Sequence, residues 1–201
     1  MKGQRVVLAS SNAGKLAEFD GLAKTIDVEL VKQDDLGISG GEENGLSFVE
    51  NALIKARHAS FQSGLPALAD DSGLCVDALG GAPGIHSARY AGEPKSDERN
   101  IAQLLTKLTD QDDRRARFVC VLALMRSADD PQPIIAEGEW HGRILDAPRG
   151  THGFGYDPVF WLEDLQQSAA ELDAALKNML SHRGNACRHL LERVQALQAQ
   201  P

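Results

Sequence analysis

The chain has 201 residues, 42% of them hydrophobic and 25% charged, with a formal net charge of −8. That length can bury a full core without disulfide staples, and the acidic balance excludes a broad electrostatic grip on DNA or RNA, which needs a basic face. No apolar stretch approaches the roughly 18 residues of a membrane span, the first residues lack a signal-type apolar core, and three scattered cysteines without metal-ligand spacing suit a reducing cytoplasm.

Residues 5–9 (RVVLA) are a β-branched apolar run and read as a buried first strand. Ser10-Ser11-Asn12-Ala13-Gly14-Lys15 breaks it, and Leu16, Phe19, Leu22, Ala23 and Ile26 then follow helical spacing. A strand–turn–helix junction offers free N–H groups and a positive dipole end to a phosphate, and Lys15 adds a charge. With one glycine and no Ser or Thr after the lysine it is not a Walker A loop, and any βα turn resembles it.

Residues 27–31 read as a short second strand, and 34–46 as an acidic, Gly-rich loop carrying Glu42 and Glu43. Ser47-Phe48-Val49-Glu50 is a capping box that opens a helix to about Ser63, where Gly64 ends it. Asn51 and Lys55 lie one turn apart on that helix and can face one ligand, or be an ordinary exposed face.

Residues 65–69 read as a strand entering Asp70-Asp71-Ser72-Gly73, with 74–79 as a further extended segment. Two adjacent carboxylates repel, and burial penalises each ionised form. The tetrapeptide is therefore either an Asx-type turn or a site that uses the pair for a hard cation or a proton transfer. In a strand the two side chains point to opposite faces, so only one can aim squarely into a site, and alternation does not say which.

The cluster 80–84 (GGAPG) is a turn. Residues 97–109 place Ile101, Leu104, Leu105 and Leu108 on one helical face. Residues 117–125 are the strongest strand, and 133–144 read as its antiparallel partner, with Gly138 and Gly142 as bulge positions. In the loop 147–157, Phe154-Gly155-Tyr156-Asp157 offers rings on which a base can stack and a carboxylate for a ring N–H; the alternative is a structural turn. Ser168-Ala169-Ala170-Glu171 is a second capping box, opening a short helix toward Lys177. Residues 181–199 form a C-terminal amphipathic helix. Its first turn, Ser181-His182-Arg183-Gly184, puts cations where the dipole favours acids, which suits an anion or a keto oxygen. The alternating elements predict an α/β fold with a mixed central sheet flanked by helices.

These segments together resemble the HAM1/inosine triphosphatase family. The resemblance rests on Ser10-Ser11-Asn12-Ala13-Gly14-Lys15, on Phe48-Val49-Glu50-Asn51-Ala52 with Lys55-Ala56-Arg57, and on Ala69-Asp70-Asp71-Ser72-Gly73-Leu74. Gly80-Gly81-Ala82-Pro83-Gly84-Ile85 with Ser87-Ala88-Arg89-Tyr90, Phe154-Gly155-Tyr156-Asp157-Pro158 and Ser181-His182-Arg183-Gly184 extend it over about residues 4–195. It implies one two-lobed domain over 1–201 with an active-site cleft between the lobes, Mg²⁺ as cofactor, and a cytoplasmic homodimer. The implied activity is hydrolysis of the non-canonical purine triphosphates ITP, dITP and XTP to the monophosphate and pyrophosphate, as house-cleaning of the nucleotide pool.

On matching positions the resemblance implies Asp71 as general base and metal ligand, and Glu42 as second metal ligand with Glu43 the alternative. It implies binding of the triphosphate by Ser10, Ser11, Asn12, Ala13, Gly14 and Lys15 with Ser72 nearby. Phe154, Gly155, Tyr156, Asp157, Lys177, His182 and Arg183 would bind the nucleotide, chiefly its base, with Asn51, Lys55 and Asp70 in supporting roles. The chain departs from the family pattern at Ser10-Ser11 in place of Thr-Gly, at His152 in place of Gly, and at Leu176 where an acid is common. The motif order of a Maf-like pyrophosphatase is absent here, a phosphotransferase would need a Walker A or kinase loop, and a nucleotide-binding module without turnover has less need of a base beside a metal.

Overall fold

The computed structural model of the chain describes residues 3–10, 19, 25 and 27–198. Among them lie strands β1 (Gln4–Leu8), β2 (Val28–Lys32), β3 (Ala67–Val76), β4 (Arg115–Met125), β5 (Ile134–Ile144), β6 (Phe160–Leu162) and β7 (Gln167–Ser168). The α-helices are α1 (Phe48–Ser63), α2 (Asp97–Lys107), α3 (Ala174–Leu180) and α4 (His182–Gln198). The strands form one sheet in the order β2-β1-β3-β4-β5-β6-β7. β1 runs parallel to β2 and β3, whereas β6 is antiparallel to β5 and β7. The sheet is therefore mixed, as the alternation of elements implied.

The chain divides into two compact units. The first comprises Met1–Asp71, Cys120–Gly138 and Arg183–Pro201, and the second Ser72–Val119 and Glu139–His182. In the first, Val6, Leu8, Phe19, Leu68, Leu122, Leu124, Ala186, Leu190 and Val194 share a core. In the second, Leu74, Val76, Ile101, Leu104, Leu108, Phe118, Trp140, Ile144, Tyr156 and Phe160 share another. β4 shows how one strand serves both. Its N-terminal half alternates between buried and less buried residues, while Cys120–Met125 is buried throughout, which is the pattern of a strand covered on both faces.

Local chemistry explains the helix boundaries. The Ser47 side chain accepts the Glu50 N–H and Gly64 closes α1 in the left-handed conformation at φ 68°. The buried face of α1 carries Ala52, Ala56 and Ala59, small enough for the helix to lie close against β1. Ser96 caps α2 by accepting the Arg99 N–H at 3.2 Å.

Two expected elements differ. The capping box at Ser168 and Glu171 forms, with the Ser168 N–H donating to Glu171 Oε2 at 2.8 Å, but it opens only a 3-10 turn over Ala169–Glu171. Leu172 returns to extended backbone, and Asp173 caps a separate helix, α3, by accepting the Leu176 N–H. The stretch 65–79 was expected as two segments flanking the acidic pair, but β3 runs unbroken through Asp70 and Asp71, so the Asx-turn alternative falls. The expected helix over 15–26 lies outside the described residues except for Phe19, which is fully buried, and Thr25.

Gly142 in β5 makes room for the neighbouring strand. A Cβ there would stand 2.5 Å from the Trp161 carbonyl oxygen and 2.8 Å from the Phe160 ring. Gly142→Ala is expected to cost about 1–3 kcal/mol through overpacking, read as a lower urea midpoint with an unchanged m-value. An unchanged midpoint would show that β6 yields freely.

Candidate functional site

The acidic pair sits in the middle of β3, and both carboxylates are buried, Asp70 at 1% and Asp71 at 7% exposure. Alternation along the strand sends them to different partners. Asp71 Oδ1 accepts from Lys55 Nζ at 2.7 Å, and its Oδ2 accepts from Asn51 Nδ2 at 3.4 Å, both on α1. Asp70 Oδ2 lies 3.4 Å from Arg183 Nη2 at the start of α4 and 4.0 Å from Cys120 Sγ on β4. Each carboxylate thus has a cation beside it, which offsets part of the cost of burying two adjacent acids.

Lys55 gathers a second acid. Its ammonium lies 3.3 Å from Glu43 Oε1, so Asp71 and Glu43 share one cation. Burial works against the charged Lys55, but the carboxylates of Asp71, Asp70 and Glu43 outweigh it and raise its pKa. Asn51, 1% exposed, also accepts the Gly45 N–H at 2.9 Å and so ties the loop that carries Glu43 to the strand that carries Asp71. Gly45 must be glycine for this approach, since a Cβ would lie 2.8 Å from Asn51 Oδ1. Glu42 and Glu43 are both exposed, and it is the Glu43 carboxylate that meets Lys55. The loop carboxylate that joins the cluster is Glu43.

The second unit builds a different structure around Phe154. The Phe154 N–H donates to Asp157 Oδ2 at 2.8 Å, and Lys177 Nζ donates to the same oxygen at 2.5 Å. The Lys177 ammonium also stands 4.7 Å over the centre of the Phe154 ring. Lys177 and Asp157 are 8% and 3% exposed, whereas Phe154 is 36% exposed. Gly153, at φ 78°, has no room for a side chain, because a Cβ would collide with the Asp157 carboxylate. The Tyr156 ring belongs to the core, its hydroxyl donates to the Ser87 carbonyl at 2.9 Å, and burial raises its pKa. Of the two rings that the sequence offered for stacking, Phe154 is the exposed one. The His182 ring, 7% exposed, stacks on Phe118 at 4.9 Å between centroids and 15° between planes.

A continuous match to one family model spans residues 6–193, and that model describes the Ham1 family. The chain belongs to the Ham1 family. It is 62% identical over 190 residues to a dITP/XTP pyrophosphatase of Aromatoleum aromaticum, covering 94% of this chain and 96% of that one. It is 58% identical over 194 residues to a dITP/XTP pyrophosphatase of Ralstonia nicotianae, covering 95% and 96%. A HAM1 protein from Coxiella burnetii has a similar solved structure, with a TM-score of 0.91 and 48% identity over 96% of this chain and 99% of that one.

Several expected site residues of this Ham1 chain can be placed. Asn51, Lys55 and Asp71 come together with Glu43. Phe154, Asp157 and Lys177 come together with Gly153 and Gly155. Arg183 is 2% exposed, and its Nη2 lies 3.4 Å from Asp70 Oδ2. Ser10 lies two residues beyond the end of β1, and Ser72 is half-buried within β3. Ser11, Asn12, Ala13, Gly14 and Lys15 lie outside the described residues. The departure at Leu176 leaves Lys177 with an acid all the same, because Asp157 supplies it from the loop while Leu176 packs on the core.

Proposed function

We propose that this protein hydrolyses dITP, XTP and ITP to the nucleoside monophosphate and pyrophosphate. One observation carries the reading: the buried Asp71 carboxylate held between Lys55 and Asn51, in a chain 62% identical to a dITP/XTP pyrophosphatase. In the reaction, a water oxygen bonds to the α-phosphorus, the bridge to the β-phosphate breaks, and pyrophosphate leaves. Asp71 takes the proton of that water. Lys55 holds the Asp71 carboxylate in place and offers positive charge where the phosphates accumulate negative charge. Phe154 offers a ring face to the base, with Lys177 closing the other side of that ring.

A divalent cation fits this donor set. Asp71 and Glu43 are hard carboxylate ligands drawn together by one ammonium, and among the described residues no larger acidic or histidine cage assembles. One or two carboxylates completed by substrate phosphates is the usual Mg²⁺ arrangement. When bound, Mg²⁺ would neutralise phosphate charge and lower the barrier to attack. The same reading carries a cytoplasmic homodimer.

Base choice is a donor–acceptor problem. Hypoxanthine and xanthine present an acceptor at C6 and a donor at N1, and adenine presents the reverse, so a site paired to the first leaves two groups unpaired with adenine. Such mismatches are worth roughly 10⁴-fold in kcat/KM. Guanine shares the 6-keto pattern and must be refused at its 2-amino group. Pyrophosphate release from ITP, XTP, ATP and GTP, each with Mg²⁺ and with EDTA, tests the proposal. Strong preference for the first two and loss of activity in EDTA are expected. Equal rates on all four, or full activity in EDTA, would overturn it.

A further inference from the structure

The loop at Phe154 contains two glycines at positive φ, Gly153 at 78° and Gly155 at 61°, and such residues lose the most conformational freedom on ordering. Three consecutive residues are nevertheless tied down, each by a different element. The Phe154 N–H is held by Asp157. The Tyr156 hydroxyl is held by the Ser87 carbonyl, and the Ser87 hydroxyl accepts the Leu74 N–H at 2.9 Å while donating to the Gly84 carbonyl at 2.6 Å. The middle tie also comes from a distant part of the sequence. The Gly155 N–H donates to Asp97 Oδ2, 58 residues distant, at 2.6 Å.

Asp97 is the first residue of α2, but the helix does not depend on it for its cap, which Ser96 provides. Its neighbour Glu98 supplies a second acid to the same turn, so the helix dipole is served without it. The short charged acceptor at Asp97 is directed at the loop.

We propose that Asp97 is a positioning residue for nucleotide binding, strapping Gly155 so that the exposed face of Phe154 is held ready for a purine. The inference rests on the proposed stacking role of Phe154. Without the strap the glycine-flanked loop spreads over several conformers, and apparent affinity falls by the fraction that remains competent. Chemistry at Asp71 is untouched, so the loss falls on KM.

The test compares Asp97→Ala, Asp97→Asn and Glu98→Ala, using XTP kinetics and amide hydrogen exchange at Gly155 in the nucleotide-free protein. In Asp97→Ala, KM should rise about tenfold with kcat within about twofold of wild type, and Gly155 exchange should quicken about tenfold. Asp97→Asn removes the same helix-dipole charge but keeps an acceptor oxygen, so it should recover most of both effects. Glu98→Ala should leave both at wild-type values. Unchanged Gly155 exchange or unchanged KM in Asp97→Ala would overturn the proposal, as would equal effects from Glu98→Ala or no recovery in Asp97→Asn. If the wild-type protein turned over no nucleotide, the functional reading would fall, while the exchange measurement would still decide whether Asp97 straps the loop.

Discussion

Asp71→Asn is expected to lower kcat/KM for XTP by about 10²–10⁴-fold, the range that a positioned general base contributes, while the protein stays folded. The substitution keeps the shape and one acceptor oxygen, which can still accept from Lys55, while an amide nitrogen replaces the oxygen that accepted from Asn51. What it removes is the negative charge and the capacity to take a proton. Circular dichroism checks the fold, and single-turnover kinetics check the step. Near-normal turnover would remove Asp71 from the base role and leave the cluster around Lys55 as a structural ion pair.

The second large effect concerns the neighbouring carboxylate. Asp70 and Arg183 form an ion pair whose side chains are 1% and 2% exposed. Removing one member of a buried pair leaves the other charge uncompensated, at a typical cost of about 3–5 kcal/mol. For a chain of this size each kcal/mol lowers Tm by about 2–4 °C, so Asp70→Ala should lose roughly 6–20 °C in a thermal melt. Asp70→Met/Arg183→Met, which removes both charges, should recover a substantial part of that loss. A single variant that melts within about 2 °C of wild type would mean that water or other groups satisfy Arg183, and that the pair is not an anchor of α4. Asp71→Asn is thus expected to act on turnover and Asp70→Ala chiefly on stability.

Much of the fold was legible because local rules decide it. The apolar runs at 5–9 and 117–125 became β1 and β4, and Ser47 with Gly64 bounds α1 through a cap and a left-handed turn that depend on adjacent residues. Reading failed where a local signal competed with another. Ser168 and Glu171 form their box, but Asp173 caps better three residues before Leu176, so the helix restarts there. The Asp-Asp-Ser-Gly run has strong turn propensity and is nevertheless strand, because cations from α1 and α4 reach it and make burial tolerable.

For the site, the sequence by itself determined which residue types were present and that the two adjacent aspartates part to opposite faces if they lie in a strand, since strand alternation is a property of the backbone. It left open which loop glutamate pairs with Lys55, which ring in Phe154-Gly155-Tyr156 is exposed, and what holds that loop. Tertiary structure decided these. Glu43 is the acid on Lys55, Tyr156 is committed to the core, and Gly155 is held by an aspartate 58 residues away. Such contacts depend on how separate elements pack, and no spacing along the chain encodes which side chains that packing brings within 3 Å of one another.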